Sequence, residues 1–232
     1  MMHRDVEVYV DDMIVKSQGR VDHLAPLEIF FEMIRKFRFR LNPKKCTFGV
    51  TSGKLLGHIV SEQGIEVDPD KIKAILDMPV SRIDKEIRGF LGKLQYINRF
   101  ITRLTNICEP IFCLLRNNQP TVWNDDCQLT FERITKYFLS PPVLVPPMPG
   151  HPLFLYLSVS DMALGCMLAQ LDDSGKERAI YYLSKRMLEY EIRYVMIEHF
   201  CLALVWATRR LRHYMTEYSV HLISRLDPLR LI

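Results

Sequence analysis

The sequence predicts an α+β protein in which two β-rich ends flank a helical middle. Residues 5–17 alternate and are rich in Val, Ile and Tyr, which is typical of a hairpin. From residue 68 to about residue 140, apolar residues recur at helical spacing. Beyond residue 152, three strand patterns, one long helical pattern and a last strand form an incomplete α/β unit. A chain of 232 residues is long enough for one large domain or two modest ones.

Composition and charge restrict the class of protein. Apolar residues make up 48% and charged residues 25% of the chain, which is typical of a globular protein and not of a disordered one. The formal net charge of +4 permits a polyanionic partner without requiring one. The six cysteines form no CxxC pair and no zinc-site spacing with histidine. We therefore expect reduced cysteines and an intracellular location, cytoplasmic or nuclear.

No segment predicts a secretion signal or a membrane span. The first ten residues lack the apolar core of a signal peptide. No apolar run approaches the roughly 18 residues that a membrane-spanning helix needs. We expect a soluble protein without a membrane partner.

After the N-terminal hairpin, the pattern predicts one helix and then further strands. Asp22 can cap a helix whose apolar residues continue to Leu41, and Pro43 ends the segment. Strands are predicted at 46–50, 54–60 and 65–67. Solvation alone explains the basic face of the helix as readily as a function does. That face and the two lysines after it comprise Arg35, Lys36, Arg38, Arg40, Lys44 and Lys45.

Helices are predicted for the middle of the chain. Asp68 and Pro69 form a helix start, and helical spacing recurs at 72–76, 87–101, 111–115 and 129–138, the last after a cap near Asn124. The segment 141–152 holds six of the 13 prolines, and we interpret it as a linker. Strands are then predicted at 153–159, 163–171, 179–184 and 219–224, with a helix from about 189 to 214 before the last of them.

Two adjacent carboxylates interrupt the N-terminal hairpin. Asp11 and Asp12 repel each other at a position where a hairpin turn usually has Asn-Gly or Asp-Gly. A divalent cation relieves such crowding, because Mg²⁺ takes oxygen ligands and is often held by one or two carboxylates together with phosphates. Neighbouring strand residues point to opposite faces, so only one of the two can point directly at a given site.

The amino-acid sequence around this pair resembles that of a known family. Tyr9-Val10-Asp11-Asp12 is similar to the YxDD signature of reverse transcriptases. The segments LNPKKCTFGVTSGKLLGHIVSEQGIEVDPDKIKAI, IRGFLGKLQYINRFI, and ICEPIFCLL with VWNDDCQLTF follow it. In order and spacing they resemble the palm end and thumb of gypsy-class LTR retrotransposon Pol polyproteins.

The resemblance implies a metal site and a primer contact. Asp11 would be the direct ligand and Asp12 the supporting one of two Mg²⁺ ions, with Mn²⁺ as the alternative metal. Leu56, Gly57 and His58 fall at the family's primer grip; the other interpretation of His58 is a turn or strand histidine satisfied by the backbone. In the family a third aspartate, the fingers and most of the nucleotide pocket lie upstream, so we expect no polymerase activity from this chain alone.

A second set of carboxylates lies in the last third of the chain. Asp161 follows an apolar strand, Glu198 lies in the long helix, and Asp227 follows the last strand. A two-metal hydrolase needs acids in such places, because they converge only on folding. Glu198 shares its helical face with apolar residues, where an acid is unusual because carboxylates are almost never fully buried unless paired. These residues are Tyr194, Cys201, Leu202 and Val205.

The amino-acid sequence around these acids resembles the ribonuclease H domain that follows the thumb in the same retrotransposons. The segments are LFLYLSVSDMALGCMLAQ, RAIYYLSKRM, IRYVMIEHFCLALVWA and HLISRLDPL. The resemblance implies that Asp161, Glu198 and Asp227 are three of its metal-binding acids. Many relatives have TD-H where this chain has Leu-Asp-Pro at 226–228, and a fourth acid would lie beyond Ile232. Without a metal site, Asp161 is a turn residue, Glu198 lies at a solvent boundary, and Asp227 is a cap.

A basic cluster ends the long helix. Arg209, Arg210, Arg212 and His213 could contact a nucleic-acid backbone, offset the helix dipole, or simply be solvated.

These observations predict four segments and a function. They are the C-terminal palm with the primer-grip hairpin at 1–77, the helical thumb and connection at 78–140, the Pro-rich linker at 141–152, and a C-terminally truncated ribonuclease H-like domain at 153–232. We expect a fragment of a reverse transcriptase and ribonuclease H that acts by a two-metal mechanism on a primer–template duplex or RNA–DNA hybrid, with the remainder of a Pol polyprotein as its partner. The alternatives are a non-catalytic nucleic-acid-binding remnant and a pseudogene product without a selected role.

Overall fold

The computed structural model describes residues 6–9, 12–15, 17, 23–78, 84–115 and 123–223. The chain divides into two compact units, Met1–Gly57 and His58–Ile232. The mixture of helices and sheets confirms the predicted α+β class. The family-based boundaries at residues 77, 140 and 152 stay predictions. No helix within the described ranges is long and apolar enough to cross a membrane.

The first unit begins with the predicted hairpin. Strands β1 (Val6–Tyr9) and β2 (Asp12–Val15) pair antiparallel. Helix α1 (Leu24–Lys36) contacts β2, and Phe30 is buried. The predicted cap at Asp22 lies outside the described residues.

The next strand differs from the prediction in position and length. Strand β3 is Ser52–Leu55, and the described residues at 46–50 form no strand. Phe48 and Val50 are exposed, so alternation at 46–50 buries neither face. The predicted strand 54–60 is also interrupted, because Leu56 and Gly57 both have positive φ, at 51° and 71°. Two consecutive left-handed residues are what a type I′ turn requires.

The second unit starts with a hairpin and a group of helices. Strands β4 (His58–Ser61) and β5 (Gly64–Val67) pair antiparallel. The helices are α2 (Pro69–Leu76), α3 (Asp84–Tyr96), a 3₁₀ turn (Asn98–Phe100), α4 (Leu104–Ile107), α5 (Glu109–Leu114) and α6 (Asp125–Phe138). The Asp68 carboxylate accepts a hydrogen bond from the Asp70 N–H at 3.0 Å, and the Asn124 side chain accepts one from the Cys127 N–H at 2.9 Å. These caps confirm both predicted helix starts.

The same unit continues into a four-stranded sheet. Strands β6 (Leu153–Val159), β7 (Ala163–Leu171) and β8 (Glu177–Arg186) form the predicted meander. A 3₁₀ turn (Glu191–Arg193), α7 (Met196–Arg210) and α8 (Arg212–Glu217) follow. Strand β9 (Val220–Ile223) pairs parallel to β6, which gives the strand order β8-β7-β6-β9. Helix α7 starts later than predicted, because Val195 is extended.

Strand β8 joins the sheet to the helices. The Ser184 hydroxyl accepts a hydrogen bond from the Thr105 N–H at 3.0 Å, and Arg186 forms an ion pair with Glu109 at 3.2 Å. The opposite face of the sheet is covered by α7, whose Ala203 and Ala207 are fully buried. The sheet therefore has helices on both faces.

The Pro-rich segment is held by hydrogen bonds within this unit. Leu144 is fully buried, and its backbone N–H and C=O both bond to Ile65, at 2.9 and 2.7 Å. Gln170 is also buried, and its side chain bonds to the backbone N–H and C=O of Met148, at 2.7 and 3.1 Å. The segment interpreted as a linker thus contacts both the β4–β5 hairpin and the sheet.

Candidate nucleic-acid interface

The predicted acid pair lies at the N-terminal hairpin. Asp12 opens β2 opposite Tyr9, while Val10 and Asp11 between them lie outside the described residues. The hairpin is confirmed, and the ligand roles of Asp11 and Asp12 stay predictions. Among the described residues, no group of three His, Cys, Asp or Glu side chains could hold a metal ion.

His58 lies in an aromatic cluster. Its ring stacks on Tyr96, with 5.8 Å between centroids, and lies 5.3 Å from the ring of Phe100. Its Nδ1 is buried and has no hydrogen-bond partner, so this atom does not make the backbone contact expected of a strand histidine. Burial, and then the nearby Arg99 guanidinium, lower the pKa of His58 below 6.5, against the opposing effect of Asp68. The ring is therefore neutral at pH 7.

The predicted primer-grip residues before His58 form a turn. Leu56 and Gly57 are both left-handed, and the Leu56 side chain is exposed. An apolar side chain held at a turn of this kind is accessible to a ligand, and its role stays a prediction.

Helix α3 has an outward side that sequence reasoning missed. Its buried side places Ile87, Phe90 and Leu94 in the helical core. Gly89 and Gly92 lie on the opposite side, and a Cβ added at either would meet no atom within 4 Å. The signal in the sequence is a Gly-x-x-Gly spacing inside a helical pattern.

These two glycines have no explanation within the described residues. A glycine inside a helix costs roughly 0.5–1 kcal/mol relative to alanine. Neither Gly89 nor Gly92 has a positive φ, and no neighbouring atom excludes a side chain. A surface that closely approaches the helix backbone from outside would explain both.

Basic and aromatic side chains surround the glycines. Lys85 and Arg88 are exposed on the same side of α3, and Lys93 lies at its flank. Tyr96 is 48% exposed, and the Lys71 ammonium lies 5.2 Å from the centre of its ring. We call Lys85, Arg88, Gly89, Gly92 and Tyr96 the α3 glycine face. Its charge favours an anionic ligand.

The acids of the sheet lie in exposed positions. Asp161 is in the turn after β6 and is exposed. Glu198 is in the first turn of α7, also exposed, and its Oε2 accepts a hydrogen bond from the Val195 N–H at 3.0 Å. On the helix face that Glu198 shares, Tyr194, Cys201 and Val205 are exposed as well, and Leu202 is partly buried against the neighbouring apolar cluster. Glu198 is therefore not a buried carboxylate that needs a partner.

Packing still places Asp161 and Glu198 at one end of the sheet. Midway along α7, Ala203 belongs to a cluster that includes Val159, the last residue of β6. One turn further along, Ala207 belongs to the cluster of Leu153, the first residue of β6. The helix thus runs opposite to β6. Asp227 lies outside the described residues, so the predicted set of three stays untested as a cluster.

A partly buried ion pair fixes the segment before α7. Glu191 is 4% exposed and accepts hydrogen bonds from Lys185 at 2.7 Å and from the Leu188 N–H at 2.7 Å. Burial alone would raise the pKa of Glu191, but these hydrogen bonds and the lysine charge outweigh it and lower the pKa. The His199 ring nitrogen Nε2 bonds to the Glu191 C=O at 2.8 Å. These contacts position the start of α7.

The basic cluster at the end of α7 is accessible. Arg209, Arg210, Arg212 and His213 are all exposed, and none forms an ion pair with another described residue. This exposure is compatible with each of the three alternatives, so phosphate binding here stays a prediction.

Two family models match the chain. Residues 3–92 match a model described as "Reverse transcriptase (RNA-dependent DNA polymerase)". Residues 123–222 match one described as "RNase H-like domain found in reverse transcriptase". Enzymes of both families generally use divalent metal ions such as Mg²⁺.

Curated relatives extend the match over almost the whole chain. The sequence is 31% identical over 231 residues to "Retrovirus-related Pol polyprotein from transposon 297" of Drosophila melanogaster, covering 99% of this chain and 21% of that protein. It is 31% identical over 219 residues to the corresponding protein from transposon opus of the same organism, covering 90% and 22%. It is 25% identical over 227 residues to "Transposon Tf2-3 polyprotein" of Schizosaccharomyces pombe, covering 98% and 16%. The chain thus spans about a fifth of these relatives.

Solved structures show the same fold. The chain is similar to "Structure of the foamy viral protease-reverse transcriptase dRH in complex with ds DNA", with a TM-score of 0.82 and 18% identity over 98% of this chain and 40% of that one. For the foamy viral protease-reverse transcriptase in complex with RNA/DNA hybrid, the TM-score is 0.81, again at 18% identity, over 97% and 31%. Likeness at this identity concerns the fold alone.

Proposed function

The chain belongs to the retrovirus-related Pol polyproteins of LTR retrotransposons, as a fragment with their reverse transcriptase and RNase H-like domains, and on this premise we propose that it holds a nucleic-acid duplex. The duplex is a primer–template or an RNA–DNA hybrid. The remainder of a Pol polyprotein supplies the other parts of the enzyme.

The α3 glycine face carries this proposal. Gly89 and Gly92 leave the helix backbone uncovered, and Lys85 and Arg88 stand beside them. Neutralised phosphates release counterions, which gives basic surfaces much of their affinity for duplexes. An apolar protein partner would not use these cations, whereas a sugar-phosphate backbone uses both them and the bare helix.

The acids at the N-terminal hairpin fit a divalent metal by their chemistry. Asp11 and Asp12 supply the carboxylate oxygens that Mg²⁺ prefers, and Mn²⁺ is the alternative. When bound, two such ions activate the primer hydroxyl and neutralise phosphate charge. Leu56, Gly57 and His58 position the primer end under this proposal.

Under this proposal, cleavage of the RNA strand of a hybrid uses three acids, Asp161, Glu198 and Asp227. The hybrid backbone is contacted by three arginines, Arg209, Arg210 and Arg212. The position of Asp161 and Glu198 at the same end of the sheet supports the role of the acids. A second candidate, non-catalytic duplex binding, is supported by other observations. Strand β6 contains no carboxylate, and the N–H of Val195 already uses one oxygen of Glu198.

An acid substitution separates these two candidates. If Asp161 binds a catalytic metal, Asp161→Asn abolishes Mg²⁺-dependent cleavage of a labelled RNA–DNA hybrid. The matched control is Asp173→Asn, which changes an exposed acid in the β7–β8 turn. Cleavage that is absent, or equal in both variants, would leave non-catalytic binding as the function of the sheet.

A charge substitution tests duplex binding on α3. Arg88→Gln is expected to weaken hybrid binding several-fold and to reduce the slope of affinity against salt by about one unit, because one phosphate contact is lost. Fluorescence anisotropy at several salt concentrations measures both. Arg133→Gln changes an exposed arginine on α6 and should leave the slope intact. Equal effects of the two variants would reject a specific role for α3.

A further inference from the structure

We propose that residues 35–48 form a second nucleic-acid site, which binds a single-stranded polynucleotide. The site lies in the Met1–Gly57 unit and uses none of the residues of the α3 glycine face. It therefore goes beyond the duplex binding proposed above, and either proposal can fail alone.

The segment concentrates the positive charge of the chain. Six of the 31 Lys and Arg residues and none of the 27 Asp and Glu lie between residues 35 and 48, so the rest of the chain carries fewer basic than acidic residues. All six are exposed, and none forms an ion pair with another described residue. They are Arg35, Lys36, Arg38, Arg40, Lys44 and Lys45. Unpaired cations at this density favour a polyanion.

Exposed aromatic rings lie among these cations. Phe37 is 60% exposed, and Phe39 and Phe48 are each 55% exposed. The rings of Phe37 and Phe39 are 6.2 Å apart between centroids, and the Lys36 ammonium lies 5.7 Å from the centre of the Phe37 ring. Phe48 also packs against Phe31, with 6.1 Å between ring centroids, whereas Phe37 and Phe39 belong to none of the core clusters of the described residues. Rings interleaved with cations are what single-strand binding proteins use to stack bases and hold phosphates.

The backbone at the end of α1 holds a charged side chain in a costly conformation. Arg38 has a φ of 55°, at the position after a helix where glycine is usual. The Phe39 N–H reaches back to the Ile34 C=O at 3.0 Å, which fixes the conformation. This left-handed conformation costs an arginine more free energy than it would cost a glycine. We therefore infer that the Arg38 side chain is kept for a contact and not for ending the helix.

A second turn orders the lysines that follow. The Lys44 N–H donates to the Asn42 side chain at 3.1 Å, and the Lys45 N–H donates to the Asn42 C=O at 2.9 Å. The basic side chains thus project from two hydrogen-bonded turns rather than from an unstructured tail.

The exposed rings favour a single strand over other polyanions. Bases of a duplex are stacked on one another and present no free face to Phe37 or Phe39. Helices that lie on anionic membranes place their apolar residues along one helical face. Here Phe37, Phe39 and Phe48 lie beyond the end of α1. Unpaired bases have faces that can stack on such rings.

The experiment measures binding of the full chain to a labelled single-stranded RNA 20-mer by fluorescence anisotropy. A double variant, Phe37→Leu with Phe39→Leu, keeps apolar bulk and removes both rings, and is expected to weaken binding about tenfold. Tyr190→Leu is the matched control, since it removes an aromatic ring that is 59% exposed in the other unit. Binding of the RNA–DNA hybrid should be unchanged both in the double variant and in Tyr190→Leu.

A second variant covers the case in which the double variant folds poorly. Arg38→Gly removes one charge and relieves the strained backbone, so it should raise the thermal midpoint and still weaken single-strand binding several-fold. Single-strand affinity that is absent, or unchanged in both variants, would overturn the proposal. So would binding through these residues to phosphatidylserine vesicles in place of RNA. If Arg88→Gln loses hybrid binding and keeps single-strand binding, the two sites are independent and the proposal of a single-strand site is supported.

Discussion

His58 combines packing with a response to pH. Its ring is stacked against Tyr96, and burial with the nearby Arg99 charge disfavours the protonated form. A folded-state pKa below 6.5 means that this histidine contributes its full stability above pH 6.5 and loses it as the pH falls further. His58 could be identified from the sequence because it belongs to a local motif. Its aromatic neighbours could not, because they come from helices that are distant in sequence.

The pH dependence of unfolding tests this environment. Between pH 7 and pH 5 the free energy of unfolding should fall more steeply in the unchanged chain than in His58→Phe, which keeps a ring and cannot titrate. Urea denaturation at pH 5, 6 and 7 measures the difference. His151→Phe changes an exposed histidine and should keep the original slope. Identical slopes for the unchanged chain and His58→Phe would contradict a half-buried ring whose pKa is lowered.

Single residues were predictable where their signal is local. Asp68 and Asn124 were identified as helix caps because a cap depends only on the residues next to it, and both make the expected hydrogen bond. The exposure of Glu198 agrees with the solvent-boundary alternative, and its apolar neighbours Tyr194 and Val205 are exposed with it. Apolar neighbours alone do not determine which side of a helix is covered. The spacing of Gly89 and Gly92 is visible in the sequence, but only the structure shows that a Cβ added at either would meet no atom within 4 Å.

At the scale of elements, the apolar spacing located the helices of the middle and the strands of the sheet. The strand predictions fail at 46–50 and 54–60, where strand-like composition does not produce one continuous strand. Two helices are also shorter than predicted, because α1 ends at Lys36 and α7 starts at Met196. Positive φ at Leu56 and Gly57 divides the second of these segments. Turn geometry of this kind overrides an apolar pattern that looks continuous.

The contact between the β4–β5 hairpin and the Pro-rich segment also escaped prediction. Gly64 has a φ of 136°, and a Cβ there would come within 2.2 Å of the Leu144 C=O. The reason lies 80 residues away in sequence, in the pairing of Ile65 with Leu144. Proline content alone indicates a loop and says nothing of what the loop packs against.

A substitution at Gly64 tests this contact. Gly64→Ala should destabilise the chain by about 2–5 kcal/mol, because a side chain both strains the backbone and displaces Leu144. Gly89→Ala is the control, since it adds the same methyl group to an open helix face and should stabilise by about 0.5–1 kcal/mol. Urea midpoints followed by circular dichroism measure both. A small effect at Gly64 would mean that the hairpin does not pack against Leu144.

At the scale of the whole molecule, the family was recognisable because several motifs occur in a fixed order over nearly the whole chain. The matched regions at 3–92 and 123–222 confirm that order. Catalysis was less predictable, because it depends on carboxylates converging in space. Asp11 and Asp227 lie outside the described residues, and Asp161 and Glu198 are exposed at one sheet end without a third ligand in the described chain.

The most direct test of duplex binding is to fill the bare helix surface at Gly92. The measurement is the affinity of Gly92→Gln for a labelled RNA–DNA hybrid, taken together with its urea midpoint, and with Gly53→Gln as a control on β3. Glutamine is a good helix former, so the variant should be more stable by about 0.5 kcal/mol. It should bind the hybrid about tenfold more weakly, a loss of about 1.4 kcal/mol. A stable Gly92→Gln variant that binds the hybrid as tightly as the unchanged chain would contradict the proposed role of the α3 glycine face.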